Sequence, residues 1–150
     1  MGRKKSRGRG LNISLSGCPA GISQASRRAA KAALSENGVE QGELAIAFVS
    51  TSQMRRLHRQ WLDDDSTTDV ITFDLSDGRE TTKRVDGQLI VCPSVARTEA
   101  RARGHSWRHE LLLYIIHGCL HLCGYDDIRK TDSRKMAIEQ ERILKLLTAT

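Results

Sequence analysis

The segment of this 150-residue chain with the clearest capacity for chemistry is residues 117–127, whose sequence is HGCLHLCGYDD. On an α-helix, positions four apart lie about 40° apart around the axis and one turn apart along it. His117 and His121 can therefore present two imidazoles to one point, as two ligands of a tetrahedral metal ion require. Gly124 suits the left-handed position that ends a helix, and Asp127, three residues later, can supply a third ligand. The spacing predicts about one zinc ion per chain, with a fourth position open to water.

Two alternatives to this metal site, and one alternative function for it, are weaker. Buried core histidines would give the same spacing, but each imidazole left without a partner beside the apolar residues 111–116 would cost about 1–3 kcal/mol. A mixed site with cysteine is disfavoured, because Cys119 and Cys123 lie roughly 200–240° around the helix from His117. Zinc peptidases carry H-E-x-x-H, whose Glu is the general base, whereas Gly118 follows His117 here. A metallopeptidase is therefore a minor alternative.

Alternating and β-branched segments are interspersed with helical ones along the rest of the chain. The predicted strands are residues 11–15, 43–50, 69–73 and 87–92. The predicted helices are 21–37, a helix from a cap at 50–52 to about 62, 93–103, 106–124 and 132–147. The stretches 63–68 and 76–86 are polar and are predicted to be loops. The pattern predicts one α/β (α+β) domain over residues 10–150, a mixed sheet of about four strands packed with helices, with the metal-binding helix at its centre. Because the predicted metal keeps an open position, the domain is expected to be a metal-dependent hydrolase.

Most of the net charge of +6 comes from the start of the chain. Residues 1–9 hold five cations, so residues 10–150 are close to neutral; the five are Arg3, Lys4, Lys5, Arg7 and Arg9. Such a segment is predicted to be a flexible basic tail. It is either a solvated tail without a ligand or an arm that contacts phosphates, and the sequence favours neither.

The sequence also indicates the cellular location of the chain. No apolar run approaches the roughly 18–20 residues that span a bilayer, and the basic start is not followed by the apolar core of a signal peptide. The four cysteines imply no disulfide framework, since a core of this size needs none. The chain is therefore expected to be cytoplasmic, with no membrane partner.

Residues 117–127 resemble the H-G-x-L-H-L-x-G-Y-D-H signature of the YbeY family and depart from it at Asp127. Residues 68–73, TDVITF, are similar to the family's T-D-V-L-S-F strand, and residues 87–90, GQLI, to its G-D-I segment. With the order of elements, the likeness covers roughly residues 11–147. It implies a metal-dependent, single-strand-specific endoribonuclease acting in ribosomal RNA maturation and ribosome quality control. The partners that it implies are RNA, above all ribosomal RNA of the small subunit, and ribosomal or ribosome-associated proteins.

Four departures from the family pattern bear on activity. The family's third histidine is Asp127 here, and aspartate is a competent zinc ligand at about 2.0–2.2 Å. The Arg that the family carries before its T-D-V block corresponds to Leu62, and Arg59, one helical turn earlier, is the candidate catalytic substitute. Gln88 and Thr67 replace the family's usual Asp and Pro.

The low aromatic content leaves a second function open. At 4%, it is low for a protein that stacks the bases of single strands. Trp61, Trp107 and Tyr125 are predicted to be packing residues, while arginines guide the RNA past a metal cleft beside the strand 69–73. The alternative to an enzyme is a ribosome-assembly factor that binds RNA and proteins, with a metal that holds the fold.

Deleting residues 1–9 should weaken RNA binding if their five cations touch phosphates, while thermal unfolding of the domain stays unchanged. On a single strand, each phosphate interaction removed lowers the slope of log affinity against log salt by about 0.7. Titrating one RNA at several salt concentrations measures that slope for the full and the shortened chain. An equal slope for both would mean that the tail does not bind phosphates.

Overall fold

The computed structural model describes residues 10–62, 70–76 and 84–148. These residues form four strands, β1 (Leu11–Ser16), β2 (Gln41–Phe48), β3 (Val70–Asp74) and β4 (Arg84–Val91). They also form five helices, α1 (Ser23–Ser35), α2 (Thr51–Leu62), α3 (Pro93–Arg103), α4 (Trp107–Leu122) and α5 (Lys130–Thr148). Within the same ranges, no helix is both long and apolar enough to cross a bilayer.

The strands form one mixed sheet in the order β1-β2-β4-β3. β1 runs parallel to β2, and β2 parallel to β4, in a register that pairs Leu44 with Ile13 on one side and with Gly87 on the other. β3 pairs antiparallel with β4, with Asp74 opposite Gly87, and forms one edge of the sheet. The predicted single α+β domain with a four-stranded mixed sheet is confirmed.

The two faces of the sheet pack against different helices. On one face, Leu44, Ile46 and Leu89 belong to the main core, which they share with residues of α1, α4 and α5. On the other face, Met54 of α2 packs with Ile90. Because successive side chains of a strand point to opposite faces, Leu89 and Ile90 fall into different clusters. α4 therefore lies in the main core, and α2 lies across the sheet from it.

α4 approaches the sheet closely at two glycines. A Cβ added at Gly118 would lie 2.7 Å from Leu89 Cδ2 and 3.2 Å from Val70 Cγ2. A Cβ added at Gly87 of β4 would lie 2.8 Å from Leu122 Cδ1. Carbon atoms in contact are normally about 3.5–4.0 Å apart. A side chain at either position would therefore require Leu89 or Leu122 to move, or α4 to shift away from the sheet.

Two expectations about these elements are wrong. β4 begins at Arg84 and not at residue 87, because Arg84 closes a salt bridge with Asp86 (Nε–Oδ2 2.7 Å) and β2 pairs with β4 along its whole length. Trp61, predicted to be a packing residue, does not lie in the core, because it is 58% exposed and meets Phe73 at the edge of the sheet, with ring centroids 5.7 Å apart. Phe73 lies on an edge strand, so no further strand of the described sheet covers the indole.

The predicted tail at 1–9, the predicted loop at 63–68 and Asp69 lie outside the described residues.

A hydrogen-bonded network joins α1 and the turn after α4 to α5. The Tyr125 hydroxyl donates to Asn37 Oδ1 (3.0 Å), and Asn37 Nδ2 donates to Glu139 Oε2 (3.1 Å). Arg142 donates to both oxygens of Glu139, at 2.9 and 2.7 Å, and to Glu36 Oε1 at 3.0 Å. The bonds from the Arg142 guanidinium lower the pKa of Glu139 below its ordinary value, and burial opposes them in part. The network holds α5 against the turn that follows α4.

Replacing Glu139 by Gln should therefore destabilise the protein in a pH-dependent way. A carboxyl whose pKa is lower in the folded than in the unfolded chain stabilises the fold above the unfolded value, here near 4.5. That contribution is lost as the pH falls through the folded value. The expected loss in Tm at neutral pH is about 2–4 °C for a chain of this size, and it should vanish in acid. Thermal unfolding, measured from neutral pH into acid, tests this.

Glu141→Gln is the matched control for this substitution. It removes the same charge from the same helix at an exposed position. A pH-dependent loss in Glu141→Gln equal to that in Glu139→Gln would contradict a specific role for the network.

Candidate metal centre

α4 brings two histidines to the solvent edge of the core. Ser106 caps the helix, its Oγ accepting a hydrogen bond from His109 N at 3.1 Å. His117 and His121 lie one turn apart near the other end, with ring centroids 4.8 Å apart. Their side chains are 25% and 28% exposed, whereas Gly118, next to His117, is buried. The pair therefore lies where the core helix meets solvent, within reach of a substrate.

A tight turn after α4 returns the chain toward the histidines. Gly124 has φ +104°, in the left-handed region that favours glycine. Its N–H donates to the His121 carbonyl, and the Tyr125 N–H donates to the Leu120 carbonyl, both at 3.0 Å. This pair of bonds defines a Schellman motif. The redirected chain carries Asp127 to the imidazoles.

The three predicted ligand residues converge. His117 Nε2 and His121 Nε2 lie 3.6 and 3.8 Å from Asp127 Oδ2, and the three ligand atoms lie within 4.8 Å of one another. Both N···O distances exceed those of hydrogen bonds, about 2.7–3.2 Å. They are close to the separation of two ligands of one tetrahedral zinc ion, about 3.4 Å for bonds of 2.0–2.1 Å. Among the described residues, this is the cluster that could hold a metal ion.

The second nitrogen of each imidazole is already engaged. His117 Nδ1 is 2.9 Å from Gln140 Oε1, on α5, and His121 Nδ1 is 3.1 Å from the carbonyl oxygen of Tyr125. Both acceptors are oxygens without a proton, so each Nδ1 donates and each neutral ring keeps its lone pair on Nε2. Hydrogen bonds of this kind orient the histidine ligands of metals. Both lone pairs are thus available on the side of Asp127.

Gln140 is the supporting residue that sequence reasoning missed. It lies 23 positions after His117, on a different helix. One signal was present, because α5 buries Met136 and Ile143, and Gln140 is a polar residue on the same stripe. A polar side chain that faces a core indicates a hydrogen-bond partner. The partner is the imidazole of a predicted ligand.

The two cysteines of α4 and its C-terminal cap turn away from the histidines, as predicted. Cys119 is fully buried in the main core, and Cys123 packs against it. Burial raises the pKa of both thiols, that of Cys123 to about 11. Both are therefore protonated at neutral pH, and neither belongs to the cluster around Asp127.

The packing at Gly118 disfavours the glutamate that zinc peptidases carry at this position. The position faces the sheet, where even an added Cβ would lie 2.7 Å from Leu89 Cδ2. A glutamate there would have to enter the packed interface between α4 and the sheet. The general base of a peptidase has no place at this position.

The other predicted site residues lie elsewhere. Arg59 is in the last turn of α2, across the sheet, and makes no hydrogen bond or ion pair with another described residue. Leu62 is the last residue of α2. The cations of the predicted tail lie outside the described residues; they are Arg3, Lys4, Lys5, Arg7 and Arg9. A role for Arg59 or for the tail stays a prediction.

Known relatives match most of the chain. The Endoribonuclease YbeY of Kineococcus radiotolerans is 38% identical over 108 residues, which are 68% of this chain and 62% of the relative. That of Staphylococcus saprophyticus is 39% identical over 114 residues, 73% of this chain and 74% of the relative. The chain thus aligns with less than two thirds of the Kineococcus protein and with nearly three quarters of the Staphylococcus protein.

A solved structure and a family model agree with these relatives. The solution structure of TM1509 from Thermotoga maritima aligns with a TM-score of 0.65 at 25% identity, over 90% of this chain and 88% of its own. The model of the family described as Endoribonuclease YbeY matches residues 16–148, from the end of β1 to the end of α5. The chain therefore belongs to the YbeY family.

Proposed function

We propose that this chain is a metal-dependent endoribonuclease that cuts single-stranded RNA in the maturation and quality control of ribosomes. The observation that carries the proposal is the meeting of two imidazole Nε2 atoms with the Asp127 carboxylate, while oxygens hold both Nδ1 atoms. The relatives are named as endoribonucleases, so RNA is the substrate, and small-subunit ribosomal RNA is the form that the family resemblance favours. Its partners are then ribosomal or ribosome-associated proteins, and its location is the cytoplasm, where bacterial ribosomes mature.

His117, His121 and Asp127 are the proposed protein ligands of one zinc ion. Two nitrogens and one oxygen are a donor set that zinc accepts, and three protein ligands leave one position for water or substrate. When bound, zinc supplies Lewis acidity, which polarises a phosphoryl oxygen or lowers the pKa of its water. Side-chain exposures of 25%, 28% and 47% leave this side of the cluster open to an RNA strand.

The chain's own residues prepare the site. Gln140 and the carbonyl of Tyr125 accept hydrogen bonds from the two Nδ1 atoms, which keeps each imidazole in the tautomer whose Nε2 lone pair is available to a metal. The turn at Gly124 places the Asp127 carboxylate 3.6 and 3.8 Å from the two Nε2 atoms. The network through Glu139 holds α5, and with it Gln140, in position. Such preorganisation reduces the ordering that a bound ligand would otherwise have to impose.

One observation favours a second function. Leu62 occupies the place of the family's Arg, and Arg59 lies on a helix across the sheet from the cluster. Unless another cation takes that place, charge developing on a phosphate during cleavage is less stabilised. The alternative is a ribosome-assembly factor that binds RNA while its metal holds the turn after α4. Peptidase activity is disfavoured by the packing of Gly118 against Leu89.

The parent protein should bind about one zinc ion per chain, and Asp127→Ala should bind it much more weakly, because two protein ligands remain. Gln140→Leu keeps every ligand but removes the acceptor for His117, so it should lower zinc affinity about 10–100-fold. Competition titration against a chromophoric chelator and elemental analysis of the purified proteins measure both effects.

Asp126→Ala is the matched control for these variants. The Asp126 carboxylate neighbours Asp127 in sequence, but it accepts a hydrogen bond from Ile128 N at 3.1 Å and is outside the cluster. Parent protein that holds no transition metal after zinc is added back would contradict the site. If Asp127→Ala bound zinc as tightly as the parent, Asp127 would not be a ligand, and Asp126 and Asp132 would be the next candidates for the third position.

Purified protein should cleave single-stranded ribosomal RNA only with metal present, and His117→Ala should abolish cleavage while the fold is retained. The His117 side chain is part-exposed, so its removal leaves the core packing of α4 in place. Gel analysis of the RNA products, with circular dichroism of both proteins, measures the effect.

Chelator-treated parent protein, restored by added zinc, controls for contaminating nucleases. Cleavage that survives in His117→Ala would contradict the assigned site. RNA binding without metal-dependent cleavage would instead support the assembly factor, and release of peptides from casein would support a peptidase.

A further inference from the structure

In the hairpin formed by α3 and α4, both acidic side chains of the helices form ion pairs with residues of the same hairpin. The two helices contain one carboxylate each, Glu99 in α3 and Glu110 in α4. Arg103 pairs with both, and His105 also contacts Glu110, which is fully buried. The hairpin therefore has no further carboxylate on its helices to offset other cations.

Three arginines of the same hairpin remain, namely Arg97, Arg101 and Arg108. All three are exposed, and none forms an ion pair with a residue in the described ranges 10–62, 70–76 and 84–148. Arg97 and Arg101 are four positions apart, so they share one stripe of α3. This surface is thus positively charged independently of the tail.

Two of these arginines lie over the indole ring of Trp107. Arg97 Cζ lies 4.4 Å and Arg108 Cζ 5.4 Å from the centre of the indole ring. The indole itself is half-buried against the main core. Cation–π attraction holds each guanidinium near the ring, although the two positive charges repel each other. An anion bound to both would offset that repulsion.

We propose that Arg97, Trp107 and Arg108 form a second binding site for the RNA backbone, away from the metal cluster. The identity of the anion rests on the proposed function, because RNA presents a chain of phosphates. Guanidinium groups bind phosphate oxygens through paired hydrogen bonds, and here the indole positions them in advance. Ten residues of α4 separate Trp107 from His117, about 15 Å at 1.5 Å per residue. A strand must therefore span at least about that distance to reach both sites.

The same three side chains could serve only to fasten α3 to α4. Such a structural contact, here termed the clasp, needs no anion. It therefore predicts that removing the arginines changes thermal unfolding but not the affinity for RNA. A backbone-binding site predicts that the affinity for RNA, and its dependence on salt, change when the arginines are removed.

The test is the salt dependence of RNA binding by Arg97→Gln/Arg108→Gln, measured in a His117→Ala background so that the RNA stays intact. Removing two phosphate-binding groups should lower the slope of log affinity against log salt by up to about 1.4, or about 0.7 for each group. Arg55→Gln/Arg56→Gln removes the same charge from two exposed arginines of α2, across the sheet, and should leave the slope unchanged. Equal slopes for parent and Arg97→Gln/Arg108→Gln would overturn the proposal.

The indole provides a second and direct readout. The chain has two tryptophans, so Trp61→Phe leaves Trp107 as the remaining one. RNA should change the emission of Trp107, with half-saturation at the RNA concentration found in the binding titration. A lower Tm of Arg97→Gln/Arg108→Gln, with neither the slope nor the emission affected, would establish the clasp and overturn the site.

Failure of this site can be told apart from failure of the proposed function. Metal-dependent RNA cleavage by the parent, with a salt slope that Arg97→Gln/Arg108→Gln leaves unchanged, would overturn the second site but not the proposed endoribonuclease activity. A reduced slope and a Trp107 response in a protein that cleaves no RNA would support the site and overturn the nuclease.

Discussion

α4 lies so close to β3 and β4 that a Cβ at position 118 would come within 2.7 Å of Leu89 Cδ2, and the geometry of the candidate metal centre depends on that close approach. In a packed interior even one added methylene is felt, so the packing of α4 at Gly118 against Leu89 and Val70 defines the rotation of the helix. Its rotation determines that His117 and His121 lie beside the sheet-facing stripe, at the solvent edge. From there His117 reaches Gln140 on α5, and a single turn at Gly124 returns Asp127 to both rings.

The part of this arrangement that could be predicted from the sequence is the part that local rules govern. The four-residue spacing of the histidines and the left-handed turn at Gly124 lie within eleven contiguous residues, where helix periodicity and capping decide the geometry. Fold class was predictable for a similar reason, since apolar alternation and turn residues mark each element separately. The sheet order could not be obtained in this way, because strand pairing depends on interactions between distant segments.

What escaped prediction depended on tertiary packing. Gln140 matters because α5 packs where it does, and no pattern within α5 names His117 as its partner. The polar start of β4 looks like a loop until Arg84 and Asp86 pair on a strand flanked by two others. The exposure of Trp61 follows from β3 being an edge strand, which only the sheet order reveals.

Half of α4 is interior, and this has a consequence for genetic screens. Eight of its sixteen residues are buried, and truncating a large buried side chain typically removes about 2–5 kcal/mol from a marginally stable domain. Chains destabilised to that degree are removed by cellular proteases. His117 and His121 are part-exposed, so their replacement spares the core. Under the proposed function, a search for inactive alleles will thus recover truncations of the large buried side chains of α4 as missing protein, and substitutions at the two histidines as protein that accumulates without activity.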